Sequence, residues 1–390
     1  MPGGPDRRVV VAHPSPDVYG SDLQLLESIT GFVDAGWSVL VVLPRTGPLV
    51  PLLDERGAQV RIVPFPVLSK SLLSPRRLPG LAVATVGSVL RLRRMLRTHG
   101  ADALWVNTLT VPSWLVAGRL ARVSSACHVH EAEESPAWLL RVALAAPLLL
   151  AGTVVVNSRA AARSLLDVLP PLRRRTTLVY NGVPGPAGPS PLAERAEDEP
   201  WHVALVGRLS PRKGTDVALE AVALLRSDGL DVRLELYGTP FSGYEWFEEQ
   251  LRSRASQPDL AGAVTFHGYV NPVWAAVAAA DVVVVPSRTE PFGNVAVEAM
   301  LVGRPVVASR VQGLAEIVED GSSGLLVDPG DAAGLAGALR TLRQDPASAR
   351  RLAAAATQRA RELFGVDRYR RDMARVLEAT LRHSAPRADA

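Results

Sequence analysis

The chain has 390 residues, of which 47% are hydrophobic and 21% are charged; this composition is typical of a globular protein, and the length predicts two domains. Its single cysteine, Cys127, excludes a disulfide scaffold and favours a reducing compartment. The net charge of +4 is unevenly distributed, since residues 1–190 carry 20 Lys and Arg against 12 Asp and Glu. This excess of positive charge favours binding to an anionic membrane surface or to an acidic acceptor. The alternative is that these arginines are simply solvated.

Valine-rich segments of strand length alternate with helix-length segments through the first half of the chain. Continuous apolar strands are typical of parallel sheets that are buried on both faces, and the alternation predicts α/β layers. We predict helices that include 20–35 and 78–98. The predicted strands are 8–12, 38–43, 59–63, 102–106, 126–130, 153–157 and 176–180.

The uncharged segment 142–156 raises the question of a membrane-spanning helix. It has 15 residues, whereas a spanning helix needs roughly 20, and Pro147 and Gly152 interrupt it. We therefore predict a buried helix followed by a buried strand, with membrane contact through an exposed helix face as the alternative. The apolar run near the N-terminus is too short for a signal peptide, so a cytoplasmic location is expected.

Proline, glycine and charge replace the periodic pattern at 181–200, which predicts a linker. The alternating pattern then restarts, and a helical segment follows at 346–384. We predict an α/β protein of two Rossmann-like domains that face each other across a cleft, where ligands are expected beyond the carboxyl ends of the strands. The predicted strands of the second half are 202–207, 232–238, 264–269, 282–287, 305–309 and 324–328. The predicted divisions are a first Rossmann-like domain at 1–185, a linker at 186–200, a second Rossmann-like domain at 201–365 and a C-terminal helix at 366–390 that either packs locally or crosses back to the first domain.

Several common site motifs are absent from the sequence. No G-x-G-x-x-G follows the first strand, no G-x-S-x-G occurs, and the segment GRLSPRKG lacks the G-K-[ST] ending of a P-loop. Cys127 points away from His128 and His130 on an alternating strand, so we expect no metal there.

The segment VGRLSPRKG at 206–214 follows a predicted strand and precedes a predicted helix. Its cations, Arg208 and Lys213, would therefore lie on a strand-to-helix loop at the edge of the sheet. An arginine fork and a lysine point charge together suit a diphosphate. The alternative is a solvent-exposed basic turn.

The segment EPFGNVAVE at 290–298 follows another predicted strand. We expect Asn294 to cap the next helix, whose first N–H groups then suit an anion. Glu298 would lie about one turn inside that helix. Carboxylates accept hydrogen bonds from vicinal hydroxyl groups, so Glu290 and Glu298 suit the two sugars of a sugar–diphosphate–ribose ligand. The alternative is an ordinary loop with an exposed acid.

Because of these motifs, the chain resembles the retaining GT-B glycosyltransferases of the large GT4 family. The segment EPFGNVAVE matches the E-x7-E pattern of that family. The resemblance extends along nearly the whole chain, through VYGSDLQLL (18–26), HVHE (128–131), NSRAA (157–161), YNGV (180–183), VGRLSPRKG (206–214), FHGYV (266–270) and GLLVDPGD (324–331).

The resemblance implies that the domain at 1–185 binds the acceptor and that the domain at 201–365 binds the nucleotide sugar. It also implies a role for each matching residue of the second half. Arg208 and Lys213 would bind the donor diphosphate and stabilise it as it leaves, Glu290 would contact the transferred sugar and Glu298 the ribose. The remaining donor-binding positions of this half are Gly207, Phe292, Gly293, Asn294 and Val295.

In the first half, His130 resembles the family's active-site histidine at the end of a strand. Gly20 and Ser21 resemble the glycine-rich loop that approaches the donor phosphate. Many relatives have two glycines there, whereas this chain continues with Asp22, whose carboxylate would be unfavourable near a diphosphate unless it points away.

The activity implied is transfer of a sugar from a nucleoside diphosphate to an acceptor hydroxyl with retention of configuration, in the synthesis of cell-envelope glycolipids, polysaccharides or glycosides. No cofactor or metal is expected, because cationic side chains stabilise the leaving diphosphate. His130 would assist by a hydrogen bond more than as a base. The expected partners are a nucleotide-sugar donor and a carbohydrate, lipid-linked or small-molecule acceptor, without nucleic acid and with peripheral membrane contact left open. The alternatives are a nucleotide-sugar epimerase, a phosphorylase and a non-catalytic nucleotide-sugar-binding protein.

Overall fold

The structure is a computed structural model that describes residues 7–18, 20–68, 78–130, 138–192, 195–196 and 199–382. Several predicted features fall partly outside these ranges: Tyr19 of VYGSDLQLL, Glu131 of HVHE, part of the linker at 186–200 and the end of the C-terminal helix at 366–390. The chain divides into two compact units. Unit 1 is formed by 1–182 together with 366–390, and unit 2 is formed by 183–365.

Unit 1 is built around a sheet of seven strands in the order β3-β2-β1-β4-β5-β6-β7, and every pairing is parallel. Valine and other apolar side chains fill both faces of its central strands, as parallel sheets covered by helices require. The strands of unit 1 are β1 (Arg7–Ala12), β2 (Trp37–Leu43), β3 (Gln59–Ile62), β4 (Ala103–Val106), β5 (Ser124–Val129), β6 (Thr153–Val156) and β7 (Thr176–Leu178). Its helices are α1 (Gly20–Asp34), α2 (Leu49–Glu55), α3 (Leu78–His99), α4 (Pro112–Ala121), α5 (Trp138–Ala145), α6 (Arg159–Val168) and α14 (Val366–Arg382), with 3-10 helices at Ala146–Leu150 and Pro170–Arg175.

The last helix, α14, belongs to the core of unit 1 although it lies far away in the sequence. Its Tyr369 is fully buried, and the Tyr369 hydroxyl lies 2.7 Å from the Ser28 hydroxyl on α1. Arg370 donates from Nε to Glu27 of the same helix at 2.8 Å. Gly31 brings the two helices close together, since a Cβ there would lie less than 3.0 Å from the Arg370 backbone.

Unit 2 is built around a six-stranded parallel sheet in the order β10-β9-β8-β11-β12-β13. Its strands are β8 (Trp201–Val206), β9 (Val232–Tyr237), β10 (Val264–Gly268), β11 (Val282–Val285), β12 (Val306–Ser309) and β13 (Leu325–Val327). Its helices are α7 (Thr215–Ser227), α8 (Glu245–Ala255), α9 (Trp274–Ala279), α10 (Asn294–Val302), α11 (Leu314–Ile317), α12 (Ala332–Gln344) and α13 (Pro346–Phe364), with a 3-10 helix at Pro211–Lys213.

The described part of the segment 183–200 is packed onto unit 2. The buried guanidinium of Arg304 donates to the carbonyl of Pro191 at 2.8 Å. Arg195 pairs with Asp281 at 2.8 Å. The composition of this segment predicted a linker, and these contacts fix the course of its described residues.

The predicted fold class is confirmed, because two parallel α/β sheets of Rossmann type are present. The helical segment expected at 346–384 is divided at Gly365, whose extended backbone (φ −64°, ψ 140°) separates α13 from α14. The helix expected within 142–156 is only half-buried, and Leu149 is exposed. Pro147 lies at the start of the 3-10 helix Ala146–Leu150, where the ring fits and the missing N–H costs no hydrogen bond.

Candidate functional site

The order of the strands in unit 2 reverses between β8 and β11, which are neighbours in the sheet but not in the sequence. Loops beyond the carboxyl ends of such strands form the usual ligand crevice of an open α/β sheet. The loops here are 207–214 and 286–293. They touch directly, since a Cβ on Gly214 would overlap the carbonyl of Pro286.

Lys213 and Glu290 meet at this edge although 77 residues separate them. The Lys213 Nζ donates to Oε2 of Glu290 and forms an ion pair with it. Lys213 is the last residue of the 3-10 helix, and its side chain runs over Gly207, where an added Cβ would lie 3.7 Å from its Cδ. The reversal of strand order therefore brings together a cation and an acid from separate predicted motifs.

Glu290 is buried and held from several directions. Its N–H donates to the side-chain oxygen of Gln312 at 2.8 Å, and the Gly313 N–H donates to its carbonyl at 3.1 Å. Burial disfavours its charged form, but the charges of Lys213 and Arg212 and the hydrogen bonds from Lys213 and Ser287 outweigh burial, so the pKa of Glu290 lies below its usual range. The carboxylate is thus ionised and fixed in orientation.

The helix α10 begins immediately after this acid, and its first turn differs from the prediction. Gly293 is the N-cap residue, and Asn294 is already helical, so the prediction that Asn294 caps the helix is wrong. The reason is the backbone of Gly293, whose φ of 120° is open to glycine, and an added Cβ would crowd Leu314. The N–H of Ala296 donates back to the Gly293 carbonyl at 3.0 Å, and the N–H groups of Asn294 and Val295 precede it in the first turn.

Glu298 is the fifth residue of α10 and is half-buried, so it lies about one turn inside the helix as predicted. Burial raises its pKa to about 7, although the positive charge of Lys213 partly opposes the shift. Phe292 differs from its neighbours, because its ring is buried against Phe364 in an edge-on contact at 5.7 Å. Only the backbone of Phe292 is therefore suited to ligand binding.

Arg208 lies on the first of the two loops and is half-buried. Its guanidinium carbon lies 3.0 Å from the ring centroid of Phe241, in the loop after β9. Stacking of this kind places the flat face of the guanidinium against the aromatic ring. The structure thus places Arg208 with an aromatic side chain and Lys213 with Glu290.

The predicted residues of unit 1 cluster at a second strand-order reversal, between β1 and β4. Gly20 and Ser21 are exposed in the first turn of α1. The carboxylate of Asp22 is buried and accepts a hydrogen bond from His13 at 2.8 Å, so it is committed to a partner inside unit 1. His130 follows β5, and burial, with a smaller contribution from His13, lowers its pKa to about 3.

Sequence reasoning missed several residues of these two clusters. Arg212 lies 3.7 Å from Glu290, and Ser287 donates to the same carboxylate at 3.3 Å. His13 and Asn107 contact each other at 3.1 Å in unit 1. The sequence did contain a signal for His13 and Asn107, because each immediately follows a buried strand, as His130 does.

Within the described ranges, no group of three or more His, Cys, Asp or Glu side chains is arranged to hold a metal ion. None of the helices within the same ranges has the length and apolar character needed to cross a membrane.

Two families of sequences match successive parts of the chain. Residues 200–345 match the family described as glycosyl transferases group 1, and residues 20–182 match a glycosyl transferase 4-like domain. A D-inositol 3-phosphate glycosyltransferase of Stackebrandtia nassauensis is 30% identical over 404 residues, which cover 92% of this chain and 88% of that protein. A glycogen synthase of Mycobacterium tuberculosis is 32% identical over 246 residues, which are 63% of this chain and 54% of that protein. The chain thus matches about half the length of that glycogen synthase.

Solved structures share the fold at low sequence identity. The crystal structure of Anabaena HepE in complex with UDP and glucose has a TM-score of 0.79 and 24% identity, and the match covers 95% of this chain and 99% of that one. A sucrose-phosphate synthase of Thermosynechococcus elongatus has a TM-score of 0.71 and 23% identity, over 96% and 98% of the two chains. From its sequence matches and its two parallel-sheet units, this chain belongs to the glycosyl transferases group 1, the GT4 family of the GT-B fold.

Proposed function

We propose that this protein is a retaining glycosyltransferase that moves a sugar from a nucleoside-diphosphate donor to an acceptor hydroxyl. The observation that carries the proposal is the contact of Lys213 with Glu290 beside the first turn of α10. A cation, a fixed carboxylate and the N-terminus of a helix are the groups that a sugar diphosphate requires.

In this proposal, Lys213 and the first N–H groups of α10 bind the diphosphate. Negative charge accumulates there as the bond to the sugar breaks, and groups already in place stabilise it without reorganisation. Arg208, on the same loop as Lys213, adds a second cation. These groups do the work that a divalent metal does in other enzymes, so we propose a metal-independent reaction without a cofactor.

The two glutamates bind the two sugars of the donor. Glu290 is ionised and accepts hydrogen bonds from hydroxyls of the transferred sugar. Glu298, deeper along α10, accepts from the ribose when it is ionised. In the free protein Glu290 neutralises Lys213, so the donor diphosphate competes with this carboxylate for the ammonium group.

His130 enters the proposal as a neutral side chain. A pKa of about 3 keeps its imidazole uncharged near neutral pH, so the ring has no imidazolium proton to give and is a weak base. It therefore acts by a hydrogen bond to the sugar. We propose a front-face reaction with retention, in which the leaving diphosphate accepts the proton of the acceptor.

The first donor to test is UDP-glucose. HepE, which shares the fold, has been crystallised with UDP-glucose and with UDP and glucose. For the acceptor we propose a carbohydrate, a lipid-linked sugar or a small-molecule alcohol in the synthesis of cell-envelope glycolipids, polysaccharides or glycosides.

We propose that unit 1 makes peripheral contact with an anionic membrane. Large apolar side chains are exposed on this unit, including Leu90 on α3, Leu120 on α4, which packs against α3, and Trp138 on α5. Arg93 and Arg97 donate to the Leu120 carbonyl, which places cations beside one of these apolar groups. We expect Trp138→Asp to weaken sedimentation with phosphatidylglycerol vesicles but leave UDP affinity unchanged.

The experiment that tests the function begins with thermal shifts of the protein against a panel of nucleotide sugars. Any donor that stabilises the fold is then assayed for hydrolysis and for transfer to sugar alcohols. Turnover of the donor that leaves the anomeric configuration of the product unchanged supports the proposal. Conversion of the donor sugar without an acceptor points to an epimerase, and binding without turnover points to a binding protein.

A further inference from the structure

A chain of hydrogen bonds runs through the interior of unit 1 from Asp22 to His130. The His13 Nε2 lies 2.8 Å from the Asp22 carboxylate, and its Nδ1 lies 3.1 Å from the Asn107 amide nitrogen. The Asn107 amide oxygen lies 3.2 Å from the His130 Nε2. Asp22, His13 and Asn107 are all at most 3% exposed, so water does not compete at these three residues.

The fold explains why these four residues meet. His13, Asn107 and His130 each follow directly the carboxyl end of a strand, respectively β1, β4 and β5, which are neighbours in the sheet. Asp22 lies in the first turn of α1, the helix that follows β1. The strand-order reversal of unit 1 lies between β1 and β4, so the hydrogen-bonded chain occupies the position where open α/β sheets bind ligands.

The direction of each hydrogen bond follows from the chemistry of the groups. A carboxylate only accepts, so the Nε2 of His13 carries a proton and donates to Asp22. An amide nitrogen only donates, so the Nδ1 of His13 is an unprotonated acceptor. The Asn107 oxygen only accepts, so the Nε2 of His130 carries the proton of that ring, and Nδ1 is the nitrogen with a lone pair.

We propose that Asp22, His13 and Asn107 are positioning residues that fix the tautomer and orientation of His130 for sugar transfer. This inference rests on the proposed function, because it assigns a purpose to the ring only if His130 contacts the sugar. The tautomer of an imidazole is set by the hydrogen bond that its other nitrogen makes. His128 supports the ring from one side, with the two imidazole centroids 3.8 Å apart.

The assignment also gives Asp22 a role that the family pattern did not. The position after Gly20 and Ser21 holds an acid that would repel a diphosphate. Its carboxylate is buried against His13, and Ser21 donates to it at 3.3 Å. The Asp22 carboxylate therefore acts inside unit 1. Because it accepts a hydrogen bond from His13, it determines which group donates and which accepts in the rest of the chain of hydrogen bonds.

The test observes the tautomers directly in protein whose histidines carry ¹⁵N, by long-range proton–nitrogen correlation spectra. Signals of His13 and His130 are assigned by their loss in His13→Asn and His130→Asn. We expect both rings in the wild type to carry the proton on Nε2 only. Finding His130 protonated on Nδ1 would overturn the inference. The measurement requires neither a substrate nor enzymatic activity.

The second measurement uses Asn107→Leu, which has a side chain of similar size without donor or acceptor. We expect a mixture of tautomers at His130 and a fall in kcat on the order of 10- to 100-fold, with KM for the donor within about twofold. Ser28→Ala, which removes another buried hydrogen bond of α1, is the control and leaves the tautomers and kcat unchanged.

The two proposals fail in different ways. If wild-type His130 has the expected tautomer but the protein transfers no sugar from any donor, the proposed function is wrong. The chain of hydrogen bonds is then a structural feature without a role in sugar transfer. If transfer occurs and Asn107→Leu changes neither tautomer nor kcat, the positioning role is wrong and the transferase stands.

Discussion

At the scale of single residues, the chemistry proposed for unit 2 depends on a lysine and two glutamates in different electrostatic environments. Glu290 has a lowered pKa because cations surround it, whereas Glu298, one turn into α10, has a pKa raised to about 7. The pKa values of two acids in one motif are thus shifted in opposite directions. Their spacing in the sequence predicted their positions, but not their charges, because those depend on burial and on Lys213.

Lys213→Ala tests the proposed role of the ammonium group. We expect kcat to fall about 10²- to 10³-fold, since the cation is needed most when charge develops on the leaving diphosphate. Arg226→Ala is the control, because Arg226 lies in the last turn of α7, the helix that follows Lys213, and donates to the Asp259 carbonyl and the Asp231 carboxylate. The measurement is steady-state kinetics with a donor selected by the thermal-shift screen. Equal kcat values for Lys213→Ala and Arg226→Ala would contradict the proposed role of the ammonium group.

Glu298→Gln tests the raised pKa through protein stability. The ordinary pKa is 4.5, and the folded value is about 7, so folding favours the protonated acid. The stability that this group contributes is fully present below pH 4.5 and is lost as the pH rises through 7. Relative to Glu298→Gln, the wild type should lose about 1 to 3 kcal/mol of unfolding free energy between pH 4.5 and pH 8.

Urea denaturation of both proteins across this range measures the difference. Glu248→Gln, which removes a surface acid of α8 paired with Arg252, serves as the control. Parallel pH curves for the wild type and Glu298→Gln would show that Glu298 has an ordinary pKa.

At the scale of elements, the loop that enters α10 shows how the backbone shapes the site. The carbonyl of Glu290 accepts from Gly313, and an added Cβ on Gly313 would meet the backbone of Pro291 and Phe292. The two segments therefore touch backbone to backbone, and Gly293 continues the turn with a φ of 120°. The sequence predicted a turn and a helix here but placed the cap one residue late, since asparagine is the commoner capping residue.

Gly293→Ala tests whether this loop geometry carries donor binding. The new methyl group would strain the backbone and crowd Leu314, so we expect UDP affinity to fall at least about tenfold with a loss of stability of about 1 kcal/mol or more. Gly321→Ala is the control, because Gly321 also has a positive φ of 74° but has open space around its Cβ position. Calorimetric titration with UDP and thermal unfolding compare the two; equal losses of affinity would show that the contact with Leu314 is irrelevant.

At the scale of the whole molecule, unit 2 is one uninterrupted segment and unit 1 is made of two. The ends of unit 2 are adjacent, because the Val183 N–H donates to the Phe364 carbonyl at 2.9 Å. Alternation of strand and helix sufficed to predict both sheets and the class of fold. It left open whether α14 packs locally or crosses back to the first domain, because the hydrophobic face of a helix does not reveal which core it covers; the structure assigns α14 to unit 1.

Expression of separate pieces tests this division. We expect 183–365 to fold alone with a cooperative thermal transition, and 1–182 to aggregate, since it lacks α14, whose buried Tyr369, Met373 and Leu377 complete the core of unit 1. Joining 1–182 to 366–390 through a short glycine-serine linker should restore a monomeric fold, because Gly182 lies against Val366. A folded, monomeric 1–182 would show that α14 is dispensable.

Lys213 and Lys70 are the only lysines in a chain otherwise supplied with arginine. An acylating reagent therefore meets just two side-chain amines, and one of them is engaged by Glu290. Digestion and mass spectrometry would then report the occupancy of that ammonium group in the unaltered protein. A nucleotide that draws Lys213 away from its carboxylate would change how fast the amine is modified, and Lys70 would serve as the internal standard.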